Sequence, residues 1–182
     1  MNLRARRVTG WVVGLGALAV LGALAFRPSK DAANAGSARV APRFAALTID
    51  SVPQPRTLDD YAGEPLLLNV WATWCDPCRE EMPSFERLQQ DYRTKGLRVV
   101  AISIDDADQG ALIREFVAEN ALTFDILHDP KSEIMKQYQV RGVPQTFLVS
   151  RAGHIMATRF AADWSTPAYR ALVDSLLELP GG

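Results

Sequence analysis

Cys75 and Cys78, in the run Trp74-Cys75-Asp76-Pro77-Cys78, are the only cysteines among 182 residues. Two thiols separated by two residues can close into a small disulfide ring and reopen by exchange. With no third cysteine in the sequence, sulfur chemistry within the chain can run only between these two. The flanks constrain the fold. The apolar run Leu66-Leu67-Leu68-Asn69-Val70-Trp71 reads as a buried strand, and a helical pattern follows the pair. Cys75 is thus expected where a strand turns into a helix. Free amide N–H groups and the positive end of the helix dipole favour a thiolate there.

Two other readings compete for the pair. A Cys-x-x-Cys can be half of a zinc site, but that needs about four ligands. The chain adds only His128 and His154, without the usual short spacing. A static structural disulfide is the other. It would close a very small loop and stabilise little, because the loop entropy removed grows with loop length. Redox exchange is the stronger reading.

The first residues bear on location. Arg4, Arg6 and Arg7 precede Val8 to Phe26, a 19-residue stretch without charge. As a helix it would be about 28 Å long, enough to cross a hydrocarbon core. A basic segment, an apolar segment and then a polar stretch make a signal-type pattern. The arginines favour a cytoplasmic N-terminus with the remainder translocated. The segment can stay as a single-span anchor, or be cleaved at the small-x-small site Ala33-Asn34-Ala35. Its length and the remoteness of that site favour the anchor. Residues 1–26 are therefore expected to be a signal-anchor and transmembrane helix. Residues 27–42, rich in Ala, Ser, Gly and Pro, read as a flexible tether. Residues 43–182 form one domain.

Charge excludes one class of partner. Residues 1–42 hold six basic and one acidic of the chain's 20 and 21, so residues 43–182 hold 14 and 20, a balance of −6. An acidic domain without a basic stripe argues against nucleic acid. In an exported chain two such cysteines would normally oxidise. Service as a reductant would need an electron donor from outside.

Along the domain, strands are expected at residues 44–48, 66–73, 97–104, 124–127, 146–150 and 155–160. Helices are expected at 77–95, 108–120, 130–138 and 167–179. Residues 52–65 read as turn-rich. Pro83 should kink the first helix. In the second, Leu112, Ile113, Phe116 and Val117 sit at core spacing. The alternation predicts an α/β domain with a mixed central sheet flanked by helices and a terminal hairpin.

In the helix after the pair, Cys78, Glu81, Met82, Phe85 and Leu88 form the inward stripe, with Arg79, Glu80, Glu86 and Arg87 outward. Glu81 is the exception on the apolar stripe, one turn beyond Cys78. A buried carboxyl there would have a raised pKa and could exchange the proton of Cys78. At the stripe edge it would instead pair with Lys136 or an arginine. Further on, Val143-Pro144 enters the strand at Thr146, where a proline demands a special turn. A cis bond, if any, belongs at an X-Pro position. It would leave the N–H and C=O of Val143 free for an extended substrate.

These blocks, Asn69-Val70-Trp71-Ala72-Thr73-Trp74-Cys75-Asp76-Pro77-Cys78-Arg79-Glu80-Glu81-Met82-Pro83 and Val143-Pro144-Gln145-Thr146-Phe147, carry a resemblance. Over residues 40–180 the chain resembles the thioredoxin superfamily, and within it the membrane-tethered TlpA/ResA-like thiol–disulfide oxidoreductases. The resemblance implies a thioredoxin fold. It implies Cys75 as the exposed nucleophile, Cys78 as the resolving thiol and Glu81 as the acid beside them. Pro144 would be the cis proline facing the pair. Trp74, Asp76, Pro77, Val143 and Pro144 would meet the substrate. Asn69 stands where thioredoxin has a buried Asp, which moves proton handling to Glu81. The cytochrome c maturation branch often has Gly-Ala-Pro-Glu where this chain has Gly142-Val143-Pro144-Gln145.

The expected protein is a single-pass inner-membrane thiol–disulfide oxidoreductase with its domain in the periplasm. Its redox group is the Cys75–Cys78 pair, with no other cofactor and no metal. Its partners would be a disulfide-bearing protein, with apocytochrome c or an oxidase copper-site protein as family-level examples, and a membrane electron donor. A disulfide-forming oxidase and a copper-delivery protein on the same fold are the alternatives.

Overall fold

The computed structural model describes residues 39–180. The expected membrane span at 8–26 and most of the tether lie outside the described residues. No helix among the described residues is long and apolar enough to cross a membrane.

Among the described residues, eight strands form one mixed sheet. They are β1 (Arg39–Val40), β2 (Ala45–Thr48), β3 (Pro55–Thr57), β4 (Leu66–Trp71), β5 (Arg98–Ser103), β6 (Asp125–His128), β7 (Gln145–Val149) and β8 (His154–Phe160). Their order is β1-β8-β7-β4-β5-β6-β2-β3. β4 pairs parallel with β5 and antiparallel with β7. Every residue of β4 is buried. A strand covered on both faces and both edges has no wet side, so its sequence runs apolar without alternation.

The period-two geometry of β4 still sorts its side chains. Leu66, Leu68 and Val70 enter one core with Phe44, Ile102, Ile134, Tyr138 and Phe147. Leu67 and Trp71 enter the other, with the two cysteines. That second core is closed by α1 (Asp76–Tyr92), α2 (Gly110–Glu119) and α4 (Pro167–Leu177) through Met82, Phe85, Leu88, Ile113, Phe116, Val173 and Leu176. α3 (Glu133–Gln137) covers the first face. Asn69 shares the face of Leu67 and Trp71, so it points toward α1.

α1 begins where the pair predicts. Cys75 is its N-cap, and the Cys75 Sγ accepts from the Cys78 amide at 3.3 Å. Pro77 lies in the first turn, where a missing N–H costs nothing. The helix continues through Pro83 to Tyr92. A 3₁₀ turn (Arg93–Lys95) then ends at Gly96, whose φ of +92° suits a residue without Cβ.

Four expectations need correction. The tether ends earlier than residue 42, because Arg39–Val40 pair with Ile155 and His154 of β8 and Ala41 is buried. The stretch 52–65 contains β3, which pairs with β2, and a 3₁₀ turn at Leu58–Tyr61. In α2 only Ile113 and Phe116 are buried, and Leu112 is 49% exposed. Glu86 does not face out: its carboxylate accepts from the Thr123 amide and the Thr123 hydroxyl, each at 2.7 Å. Spacing alone cannot distinguish a helix flank open to water from one roofed by a distant loop.

Candidate active site

The site is built at the C-terminal end of β4. Residues 72–74 carry the chain from that strand to the N-cap of α1. This short loop is fastened from the neighbouring parallel strand. Asp105, two residues past the end of β5, accepts from the Thr73 amide at 3.1 and 3.0 Å. It also accepts from the Thr73 hydroxyl at 2.6 Å and the Ser103 hydroxyl at 2.5 Å. A fully buried carboxylate thus spends its acceptor sites holding the residues that lead into the cysteine turn.

Cys75 and Cys78 are joined as a disulfide. Cys78 is completely buried, whereas Cys75 keeps 6% of its surface exposed. Cys75 is therefore the sulfur nearer to solvent, although far less open than the resemblance implies. Its rim consists of exposed residues, with Trp74 at 62% and Asp76 and Pro77 beside it. Val143–Pro144 is a cis peptide bond. Pro144 is buried, and Val143 packs against the core cluster that contains both cysteines. Among the described residues, neither the N–H nor the C=O of Val143 has a hydrogen-bond partner.

Glu81 lies one turn beyond Cys78 and is 4% exposed. Its Oε1 accepts from Asn69 Nδ2 at 2.8 Å, and its Oε2 from the Ala162 amide at 3.2 Å. Asn69 donates its second amide hydrogen to Thr146 Oγ1 at 3.0 Å. The ion pair at a stripe edge does not form, and both partners of the carboxyl are neutral. Burial pushes the Glu81 carboxyl up to about 7, against the smaller lowering effect of the two hydrogen bonds. The carboxyl is not sealed. It lines a surface cavity of about 350 Å³ with Pro77, Ser84, Arg87 and Asp163, which gives it a path to water.

The segment following β8 is held onto α1 at two points. Besides the Ala162 bond, the Trp164 amide donates to Ser84 Oγ at 3.1 Å, and the Trp164 ring stacks on Phe85 at 5.7 Å. Ala162, Thr146 and Asp105 escape a reading of the sequence. A backbone amide 81 residues away leaves no mark at Glu81. Asp105 left one, as an acid directly past a buried strand parallel to the cysteine strand. Among the described residues no group of three or more His, Cys, Asp or Glu could hold a metal ion.

A family model described as AhpC/TSA matches residues 38–158. The chain belongs to the AhpC/TSA family. It is 31% identical to the thiol-disulfide oxidoreductase ResA of Geobacillus thermodenitrificans over 158 residues, 85% of this chain and 87% of that one. It is 38% identical to ResA of Oceanobacillus iheyensis over 98 residues, 54% of this chain and only 50% of the relative. The match thus spans about half the length of that relative. Among solved structures, the thiol:disulfide interchange protein DsbE of Chlorobium tepidum aligns with a TM-score of 0.65 at 29% identity. That alignment covers 77% of this chain and 94% of the other. The fold is thioredoxin-like: a mixed sheet flanked by helices, with the cysteine pair at the start of a helix.

Proposed function

We propose that this chain is a thiol–disulfide oxidoreductase that reduces a disulfide-bearing protein outside the cytoplasm. The observation that carries the reading is the Cys75–Cys78 pair at the head of α1, with the buried Glu81 carboxyl one turn behind it. The names of the relatives support it. In the reduced pair, the Cys75 thiolate attacks one sulfur of the substrate disulfide. A Cys75–substrate bond forms, and the second substrate sulfur leaves and takes a proton from water. Cys78 then gives its proton to the Glu81 carboxylate and attacks Cys75 Sγ. The Cys75–Cys78 bond forms, the remaining substrate sulfur leaves, and Glu81 returns the proton to it. The substrate gains two electrons and two protons, and the pair is oxidised.

Glu81 suits this task because its pKa of about 7 lets it accept and release a proton at neutral pH. Trp74, Asp76 and Pro77 on one side and Val143-Pro144 on the other form the contact surface. The unpaired N–H and C=O of Val143 suit an extended substrate strand. An electron donor in the membrane restores the dithiol. Val8–Phe26 anchors the chain as a single span in a bacterial inner membrane, with the domain in the periplasm. Apocytochrome c and an oxidase copper-site protein are the targets proposed at family level.

Two measurements test this. Equilibration of the full chain with glutathione gives its reduction potential. A reductant should lie near −270 mV, as thioredoxin does, and a value near −120 mV would make the protein an oxidase instead. Cys78→Ser should trap the physiological target as a mixed disulfide on Cys75. Absence of any disulfide reduction by the wild type would overturn the reading.

A further inference from the structure

Next to the Val143–Pro144 turn lies a second groove, of about 560 Å³, which the exchange chemistry leaves unused. Its lining includes Arg141, Gly142, Gln145, Thr158, Arg159 and Phe160, and contains no acid. The hairpin builds it. Gln145, the first residue of β7, pairs with Phe160, the last of β8. Gly142 has no side chain, and the edge of the Phe160 ring passes 3.9 Å from where a Cβ would stand. The ring therefore lies along the groove wall while remaining 62% exposed.

The charges of the groove run against the rest of the domain. Arg43, Arg56, Arg98 and Arg170 each meet a carboxylate, whereas the other ten of the 14 basic residues in 43–182 do not; what sets this groove apart is that two of those ten share a lining without an acid. Arg141 and Arg159 form no ion pair among the described residues. Arg159 Nη1 donates to the Thr158 carbonyl at 2.8 Å, and the remainder of its fork is free. Two arginines without an ion pair and an exposed aromatic residue thus contribute to one groove, in a domain whose balance is −6. In an acidic domain, a lining with two arginines and no acid favours an acidic partner at that place and orients it there.

We propose that this groove receives an acidic segment of the disulfide-bearing partner. Its carboxylates would sit on Arg141 and Arg159, and an apolar side chain would lie against Phe160. The planar guanidinium fork matches a carboxylate in two parallel bonds. The unpaired N–H and C=O of Val143 adjoin the groove and can extend the contact along the main chain, which favours a peptide over a lipid surface. The inference rests on the exchange reading and adds to it a preference for acidic sequence beside the target disulfide.

The test is calorimetric titration of the disulfide form of the full chain. The probes are a cysteine-free peptide of alternating Glu and Leu and its Lys-for-Glu counterpart. The Glu peptide is expected to bind at least about tenfold tighter, the margin weakening at high salt. In the R141Q/R159Q variant that preference should fall below about threefold. The ratio is read within each protein, so a change in folded fraction cancels. Equal binding of the two peptides, or an unchanged preference in the variant, overturns the proposal. Loss of binding to phosphatidylglycerol vesicles in the variant, with peptide binding unchanged, reassigns the groove to a membrane surface and overturns it as well. The peptides carry no sulfur, so failure here is separate from failure of the exchange chemistry, which the reduction assay reads.

Discussion

Asn69 and Glu81, twelve residues apart, meet inside the domain with Nδ2 of one 2.8 Å from Oε1 of the other. The contact joins the central strand to the cysteine helix through a carboxyl that burial holds near pH 7. That carboxyl makes the domain's stability depend on pH.

The pKa of Glu81 is raised on folding from 4.5 to about 7. Between those values the folded state binds the extra proton, so stability falls as pH rises through the interval and levels off above it. Glu81→Gln removes this dependence. Urea unfolding of the oxidised protein should show the wild type losing on the order of 2 kcal/mol relative to the variant between pH 4.5 and pH 8. Parallel stability curves for the two proteins would refute the assignment.

The same variant should exchange disulfides on the order of 100-fold more slowly near neutral pH, the lower end of the usual scale for losing a proton-transfer group. Its rate profile should lose the inflection near pH 7. Stopped-flow reduction of a small disulfide from about pH 6 to 9 measures both. A profile identical to wild type would remove Glu81 from the exchange.

Asn69→Asp places a second carboxyl where the first now receives a hydrogen bond. The two cannot both ionise at that distance, so they should titrate as a coupled pair with one apparent pKa above 7. Carboxyl-carbon NMR titration reads it. A single, unshifted Glu81 transition near 7 would contradict the contact.

Asp105→Ala should destabilise the domain by about 2–4 kcal/mol, because the Thr73 amide and the Thr73 and Ser103 hydroxyls lose their acceptor together. It should also slow exchange, since the loop into Cys75 is no longer fastened. Asp105→Asn, which keeps one acceptor oxygen, should recover part of both. Full activity in the Ala variant would show that the loop holds its shape unaided.

In the reduced protein Cys75 should alkylate faster than Cys78. It caps α1 and retains the only exposure of the pair, while Cys78 has none. Single-cysteine variants reacted with iodoacetamide across pH decide the order. Faster reaction at Cys78 would reverse the roles.

Much of this was legible in the sequence because it depends on local spacing. The apolar run 66–71 and the stripe from Cys78 to Leu88 follow from periods of two and 3.6, so β4 and α1 could be read directly, while spacing left Glu81 between the core and an ion pair at the stripe edge. What was not legible is long-range. Glu86 lies on a flank that helical spacing assigns to solvent, yet the Thr123 segment covers it. Leu112 has core spacing, but among the described residues it stays 49% exposed. β3 and β1 are short and exposed, so no burial imprints a pattern on them. Arg141 and Arg159 are ordinary surface charges until the hairpin brings them to one groove.

The position of β4 has a further consequence. The loop carrying Cys75 springs from a strand with a hydrogen-bonded neighbour on each edge and a core on each face. Amides of Leu66–Trp71 can meet solvent deuterium only when the whole sheet opens. Sheet margins such as β1 can fray long before the cysteine turn feels it. Heating should therefore leave the catalytic geometry intact up to the melting transition, with activity and fold disappearing in one cooperative event.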